Sequence, residues 1–364
     1  MSSIENAGQG PVRTGSVSSG SGGPDARSSP AGRPSAPASP VDRHPAGSPP
    51  PARHGSAASA AGPAPSGAPH RLPARTSSAP HRIGGDPGAS RRGWRDLDTR
   101  LLGVLGRLTE RDRRLCRLLD EHRVLTSAQV ADVCFTGERR ARMRLAELYA
   151  LDVLDRFRPR RGGSPVPFHW VLGPLGAALV AAEAGLDPSD LAWRRQLVHD
   201  LAASQRLAHL VGTNGFFCAL ARSARTRGDC FLEEWWSERR CATEWGEVVR
   251  PDGYGVWREH TTSLPFLYEH DNGTERLERL GRKLDGYARL AEAAGHPNWV
   301  LFSFGSPRRE AEARRVLAHR VVPVATTSRS GHTPPDGPVW LPATATVQVR
   351  LRLVDLASLS LTRT

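Results

Sequence analysis

The stretch Leu264-Pro265-Phe266-Leu267-Tyr268-Glu269-His270-Asp271-Asn272-Gly273-Thr274 reads as a strand that runs into acids, then a turn, then a helix start. A short apolar run bounded by turn residues is a buried-strand signal, and Asn-Gly marks the turn. Thr274 is suited to cap the helix that follows. That helix carries Leu277, Leu280, Leu284, Tyr287 and Ala291 on one stripe. Upstream, residues 230–236 and 248–257 read as two more strands, the second kinked at Pro251 and Gly253. Before them, residues 207–227 predict a long helix with Leu210, Phe217, Leu220 and Ala221 as its core side and His209 and Asn214 on it. Downstream, residues 299–304 are apolar enough to lie centrally, and residues 308–318 read as a helix. Residues 321–325 form a fifth strand, whose Pro323 suggests a sheet edge. The order is α-β-β-β-α-β-α-β over about residues 201–327, an α+β arrangement that borders on α/β. Residues 328–364 read as a tail with some strand character at 346–353.

A different pattern lies toward the N-terminus. Leu108-Thr109-Glu110-Arg111-Asp112 opens a helix, with Thr109 as cap and Asp112 at the capping-box position. Leu115, Leu118, Leu119 and His122 follow at helical spacing. Thr126 or Ser127 caps a second helix with Gln129 as box partner for Thr126, and Val130, Val133 and Cys134 on its apolar face. After a turn at Thr136-Gly137, a third helix runs over about 138–151 with Ala141, Leu145, Leu148 and Tyr149 inward. Arg139, Arg140 and Arg142 lie off that stripe, and Arg144 borders it. Residues 153–158 and 166–172 read as strands around a turn-rich tip. Three helices followed by a hairpin is the order of a winged helix, here about residues 99–185. Its third helix would enter a DNA major groove, and Arg158, Arg160 and Arg161 on the hairpin would touch phosphates. An exposed arginine face is also often plain solvated charge, and winged helices also serve as protein–protein modules. Residues 186–200 read as a connecting helix with Trp193 and Leu197.

The 364 residues allow two domains. Residues 1–93 are Ser, Pro, Gly, Ala and Arg with almost no large apolar side chain, which predicts a disordered basic arm. The net charge is +13 and the pI about 10.8, which points to a polyanionic partner, nucleic acid first. Of the fifty basic residues a single one is lysine, Lys283; the others are arginine. Codon usage alone can favour arginine, but it does not place the exception. The five cysteines show no metal spacing and fit reduced thiols in the cytoplasm. No apolar leader is visible and no stretch is long enough to span a bilayer, so no membrane partner is expected.

Strand side chains alternate faces, so Glu269 and Asp271 point the same way. A hairpin would bring Asp252 beside Glu269. Carboxylates so placed repel one another unless a cation joins them. Hard oxygens at this spacing suit Mg²⁺ or Mn²⁺. Lys283 borders the buried stripe of its helix and can reach the sheet, where an ammonium would stabilise charge on a phosphate. Singly, each residue has a plainer reading: Pro251-Asp252-Gly253 makes an ordinary turn, and Asp271 to Thr274 an ordinary helix entry.

Pro251-Asp252 on one strand, Glu269 on the next, and the α-β-β-β-α-β order resemble the PD-(D/E)xK nuclease superfamily. The standard motif places lysine two residues after the second acid, where this chain has Asp271. The superfamily is known for moving that lysine to the following helix, which fits Lys283. Glu234 looks like the extra upstream acid of many members, with Glu233 competing for the role. More closely, the chain resembles the replication-relaxation family of actinobacterial plasmids and integrated elements. That likeness rests on the Leu108 to Asp112 start, the winged helix, and His209, Asn214 and Phe216. Arg250 to Gly253, Glu269 to Glu275, and Lys283, Leu284 and Tyr287 also carry it. The resemblance spans about 108–317 and implies a role in plasmid or mobile-element DNA replication and relaxation.

Two expectations follow. In the first, a DNA-binding protein nicks or cleaves DNA with a divalent metal held by Asp252, Glu269, Asp271 and Glu234, with Lys283 at the scissile phosphate. In the second, the nuclease-like unit is a scaffold and the winged helix carries the function, as a replication accessory or transcriptional regulator. Plasmid replication proteins are candidate partners in either case. A tyrosine relaxase fits less well, because Tyr149, Tyr254, Tyr268 and Tyr287 all read as core or edge residues.

Overall fold

The computed structural model describes residues 87–159, 166–186, 195–318, 322–345 and 348–359. Most of the N-terminal arm, Arg160 and Arg161 at the hairpin tip, and Trp193 lie outside the described residues. These form a mixed α+β structure with ten α-helices and two sheets. No helix among them is long and apolar enough to cross a membrane.

The first unit opens with α1 (Pro87–Leu105), which starts inside the segment read as arm. Its Leu101 is buried, and Leu97, Val104 and Leu105 pack against the same core, so an apolar stripe fixes this helix. α2 (Glu110–His122) carries the full Thr109/Asp112 capping box, and α3 (Ser127–Cys134) the Thr126/Gln129 box. Each box satisfies two end groups of its helix reciprocally. α4 (Glu138–Ala150) buries Ala141, Leu145 and Leu148. Tyr149, read as inward, is instead 41% exposed, because it falls on the last turn beyond the buried stripe. β1 (Leu125–Thr126), β2 (Leu154–Phe157) and β3 (His169–Leu172) make an antiparallel sheet in the order β1-β3-β2. α5 (Pro174–Glu183) covers it, with Leu175, Ala178 and Leu179 in the core. α6 (Arg195–Ala203) leads to the second unit.

That unit is built on α7 (Leu207–Arg227) and a six-stranded sheet. The strands are β4 (Cys230–Ser237), β5 (Gly253–Glu259), β6 (Thr262–His270), β7 (Trp299–Phe304), β8 (Val324–Ser328) and β9 (Leu341–Pro342). They lie in sequence order: β4, β5 and β6 antiparallel, then β6, β7 and β8 parallel. A short helix α8 (Glu238–Trp245) follows β4, unforeseen in the sequence because it is brief and strongly polar. α9 (Leu277–Ala294) and α10 (Pro307–Leu317) cover one face of the sheet, together with Leu267, Val300, Phe302 and Phe304. α7 covers the other, with Phe217 and Leu220 against Phe266, Tyr268 and Leu301.

Three expectations change. α9 starts at Leu277, so Thr274 lies too far upstream to cap it. The strand at Pro323 is not an edge: β8 pairs on both sides, and Pro323 precedes its first residue. The segment beyond 328 is core rather than tail. Trp340, Leu353 and Leu356 are fully buried on the α7 face, the last of them in a 3-10 helix (Val354–Ser358). Glu259 holds this segment, accepting from Arg227 and Arg352.

The two units are knit through α7. Asn214 Nδ2 donates to the carbonyls of His122 (3.1 Å) and Val124 (2.8 Å), and Gln129 Nε2 to Val211 (2.7 Å). The His122 ring stacks on Trp235 at 3.7 Å with neither ring nitrogen hydrogen-bonded. All five cysteines are free, and four of them are buried.

Candidate functional site

The register of the sheet places the acids. Gly253 pairs with Tyr268, so one residue outward Asp252 lies opposite Glu269. Both stand at the carboxyl end of β6, beside the carboxyl ends of the parallel strands β7 and β8, the edge where ligands collect in open sheets of this kind. Alternation sends Tyr268 and His270 toward α7, and Leu267 and Glu269 toward α9.

On the α9 side Glu269 is 3% exposed. One of its oxygens accepts from Lys283 Nζ and the other from the Tyr287 hydroxyl. Lys283 and Tyr287 are four apart on α9, hence neighbours on one face. Tyr287 reads as core by periodicity and shares in the family likeness; its spacing from Lys283 is the signal that it joins the site.

On the α7 side Asp252 is also buried. Its Oδ2 accepts from the His270 amide at 2.8 Å, and its Oδ1 lies 3.0 Å from His209 Nε2. Gly212 makes this possible. A Cβ there would come within 2.1 Å of His270 Nε2, so only glycine lets α7 approach closely enough for His209 to reach Asp252. His209 and His270 meet edge to face at 5.5 Å, and Tyr268 OH lies 3.1 Å from His270 Nδ1. The sequence places His209 on α7 and in the family likeness, but not beside Asp252. What brings it into the site is a tertiary approach that no local pattern encodes.

The electrostatics follow from burial and pairing. Burial, reinforced by the Asp252 charge, pushes Glu269 up to about 7 despite the Lys283 ammonium and the Tyr287 hydroxyl. Burial would also raise Asp252, but the His209 hydrogen bond and the Lys283 charge outweigh it and hold Asp252 low. Lys283 loses hydration, yet the Glu269 and Asp252 charges keep it firmly protonated. Burial would lower His209, but the Asp252 hydrogen bond and charge raise it instead. Burial, with the charges of Arg329 and His209, drives His270 down to about 3, so it is neutral.

The remaining expected acids do not join. Asp271 lies on the Glu269 side but is taken by α10, accepting from Arg309 at 3.0 Å and from the Gly273 amide. Glu234 sits opposite Val256, itself paired with Pro265, four residues along β6 from Glu269. It accepts from Trp236 Nε1 at 2.5 Å. Among the described residues no three His, Cys, Asp or Glu side chains form a metal-holding group. Asp252 and Glu269 remain as a hard-oxygen pair, which is what Mg²⁺ takes when it keeps several of its waters. By donor chemistry those two residues fit such an ion; Asp271, held by Arg309, and Glu234, displaced along the sheet, are not placed to join them.

In the first unit Arg139, Arg140 and Arg142 are exposed on α4, and Arg158 is exposed beyond the end of β2. Arg144 is not available in that way. It binds Asp112 at 2.6 Å, Glu147 at 2.6 Å and the Arg107 carbonyl at 2.7 Å, because the buried Asp112 carboxylate needs a charge partner.

These elements define a two-sheet α+β protein with a buried carboxylate–lysine centre at its strand ends and an arginine-lined helical unit before it. The chain belongs to the replication-relaxation family, whose sequence profile matches residues 116–299, from α2 through the start of β7. No curated protein and no solved structure matches it.

Proposed function

We propose that this protein binds DNA in the replication or relaxation of a plasmid or mobile element, and that its second unit acts on a phosphodiester. The family and the net charge of +13 support the setting. The order α2-α3-α4-β2-β3 and the sheet order β1-β3-β2 support reading the first unit as a winged helix. In that reading α4 carries Arg139, Arg140 and Arg142 into a major groove, and Arg158 meets the backbone.

One observation carries the phosphodiester reading: the protein's single lysine rests on Glu269, opposite Asp252, with the three residues drawn from α9, β6 and the entry to β5. Asp252 and Glu269 would hold a divalent ion, which when bound supplies Lewis-acid polarisation of the phosphate. Lys283 remains charged and presents an ammonium to the non-bridging oxygens. Tyr287 orients Glu269 from the side away from Lys283.

A second reading has its own support. Both oxygens of Asp252 and both of Glu269 already have protein partners, and no third ligand stands beside them among the described residues. The nuclease-like unit is then a scaffold and the first unit the working part. Supercoiled plasmid separates the two. The first reading expects open-circle product with Mg²⁺, none with EDTA, and none from Glu269→Ala. Salt-dependent DNA binding without nicking under Mg²⁺ or Mn²⁺ overturns it in favour of the second.

A further inference from the structure

Two arginines of the hairpin are held in an unusual way. Arg156 Cζ lies 4.0 Å from the Phe168 ring centroid and 4.4 Å from that of Tyr149. Arg158 Cζ lies 3.8 Å from the Phe168 centroid. Two guanidinium carbons each about 4 Å over one ring do not fit on one face of it, so Phe168 lies between them. The register agrees: Arg156 pairs with Trp170, so Arg158 stands across from Phe168 on the same face of the hairpin. The result is a stack that runs Tyr149, Arg156, Phe168, Arg158 from the end of α4 toward the hairpin tip. Trp170 backs it at 5.5 Å from Arg156, its Nε1 anchored on Ser127 Oγ at 2.9 Å.

Neither arginine forms an ion pair with an acid among the described residues, in contrast to Arg144 on its buried Asp112. The rings fix the guanidinium planes while leaving their charge uncompensated. The two ends of the stack are open: Tyr149 is 41% exposed, and Arg158 is exposed. A planar cation and a π face presented side by side suit a ligand that alternates flat rings with negative charge. Unpaired nucleotides have that chemistry; duplex DNA, whose bases are covered by their neighbours, offers only the charge.

We propose that this ladder is a single-strand site: it stacks unpaired bases of DNA next to the duplex engaged by α4. The proposal rests on the winged-helix reading above and assigns the hairpin face a substrate class of its own. It makes the first unit a reader of duplex-to-single-strand junctions.

The test is fluorescence anisotropy with the full chain, on a blunt duplex and on the same duplex extended by an oligothymidine tail. The wild type is expected to bind the tailed DNA roughly tenfold more tightly, the effect of about one stacked base. Tyr149→Ala removes an open end of the stack. Arg156→Lys keeps the charge and removes the plane. Both are expected to bring the preference close to one while leaving blunt-duplex affinity unchanged, with far-UV circular dichroism confirming the fold. Equal binding of both DNAs by the wild type overturns the single-strand site and leaves duplex binding standing. A tail preference that survives in both variants overturns it as well. Binding to neither DNA overturns it together with the winged-helix reading.

Discussion

The Lys283 ammonium of α9 rests on the Glu269 carboxylate of β6, and no other lysine exists in the chain. The pair ties a helix to the sheet face it covers, and it keeps a buried carboxylate from standing alone.

Replacing Lys283 by methionine is therefore expected to destabilise the fold in a pH-dependent manner. Removing one partner of a buried pair typically costs about 3–5 kcal/mol. Glu269, already pushed up to about 7, can escape by taking a proton. Its folded value lies above its ordinary one, so its ionisation costs stability as pH rises from about 4.5 through 7. The loss on Lys283→Met should be larger at pH 8 than at pH 5 in urea unfolding. An equal loss at both would show that Glu269 is not the group left behind.

His122 and His270 give the opposite slope. Both are driven to about 3 by burial, far below the ordinary 6.5. A depressed histidine is neutral when folded and protonated when unfolded, so stability present above pH 6.5 is lost as pH falls below it. At pH 5 each should have removed about 2 kcal/mol. His122→Phe keeps the stack on Trp235 and should flatten the acid limb of a Tm-versus-pH curve.

The α4 arginines divide into two kinds. Changing Arg139, Arg140 and Arg142 together to alanine should leave Tm within a degree or two. It should weaken DNA binding and lower the salt slope by up to about three. Arg144→Ala should instead cost about 3–5 kcal/mol, because it strands the fully buried Asp112. Thermal melts and salt-titrated binding on the same proteins distinguish the two kinds.

Asn214→Ala should destabilise by about 1–3 kcal/mol, since the carbonyls of His122 and Val124 lose a buried donor. Hydrogen exchange should show the loss where α7 meets the segment that joins α2 to β1. Protection unchanged there would mean that this clamp does not hold the units together.

What the sequence made legible was what local periodicity encodes. The stripe Leu280, Leu284, Tyr287 on α9 and the apolar run of β7 follow from spacing alone, and so do the capping boxes at Thr109 and Thr126. Asp252 opposite Glu269 was legible because a hairpin fixes register. Asp271 was misjudged because same-face alternation does not reveal that Arg309 arrives from α10. Glu234 was misplaced because strand length sets its distance from the site, and neither strand end was marked. His209 was underrated because its role depends on the close approach at Gly212. The segment of Trp340, Leu353 and Leu356 reads as a tail with some strand character, because the alternation at 346–353 does not reveal which face of the sheet its apolar residues cover.

Ser223 on α7 donates to Asp336 at 2.6 Å across a separation of 113 residues, and Trp340 meets Phe216 nearby. During synthesis the apolar flank of α7 must wait for more than a hundred further residues to leave the ribosome before its cover arrives. Nascent chains halted before that point should be the ones that chaperones retain and proteases cut.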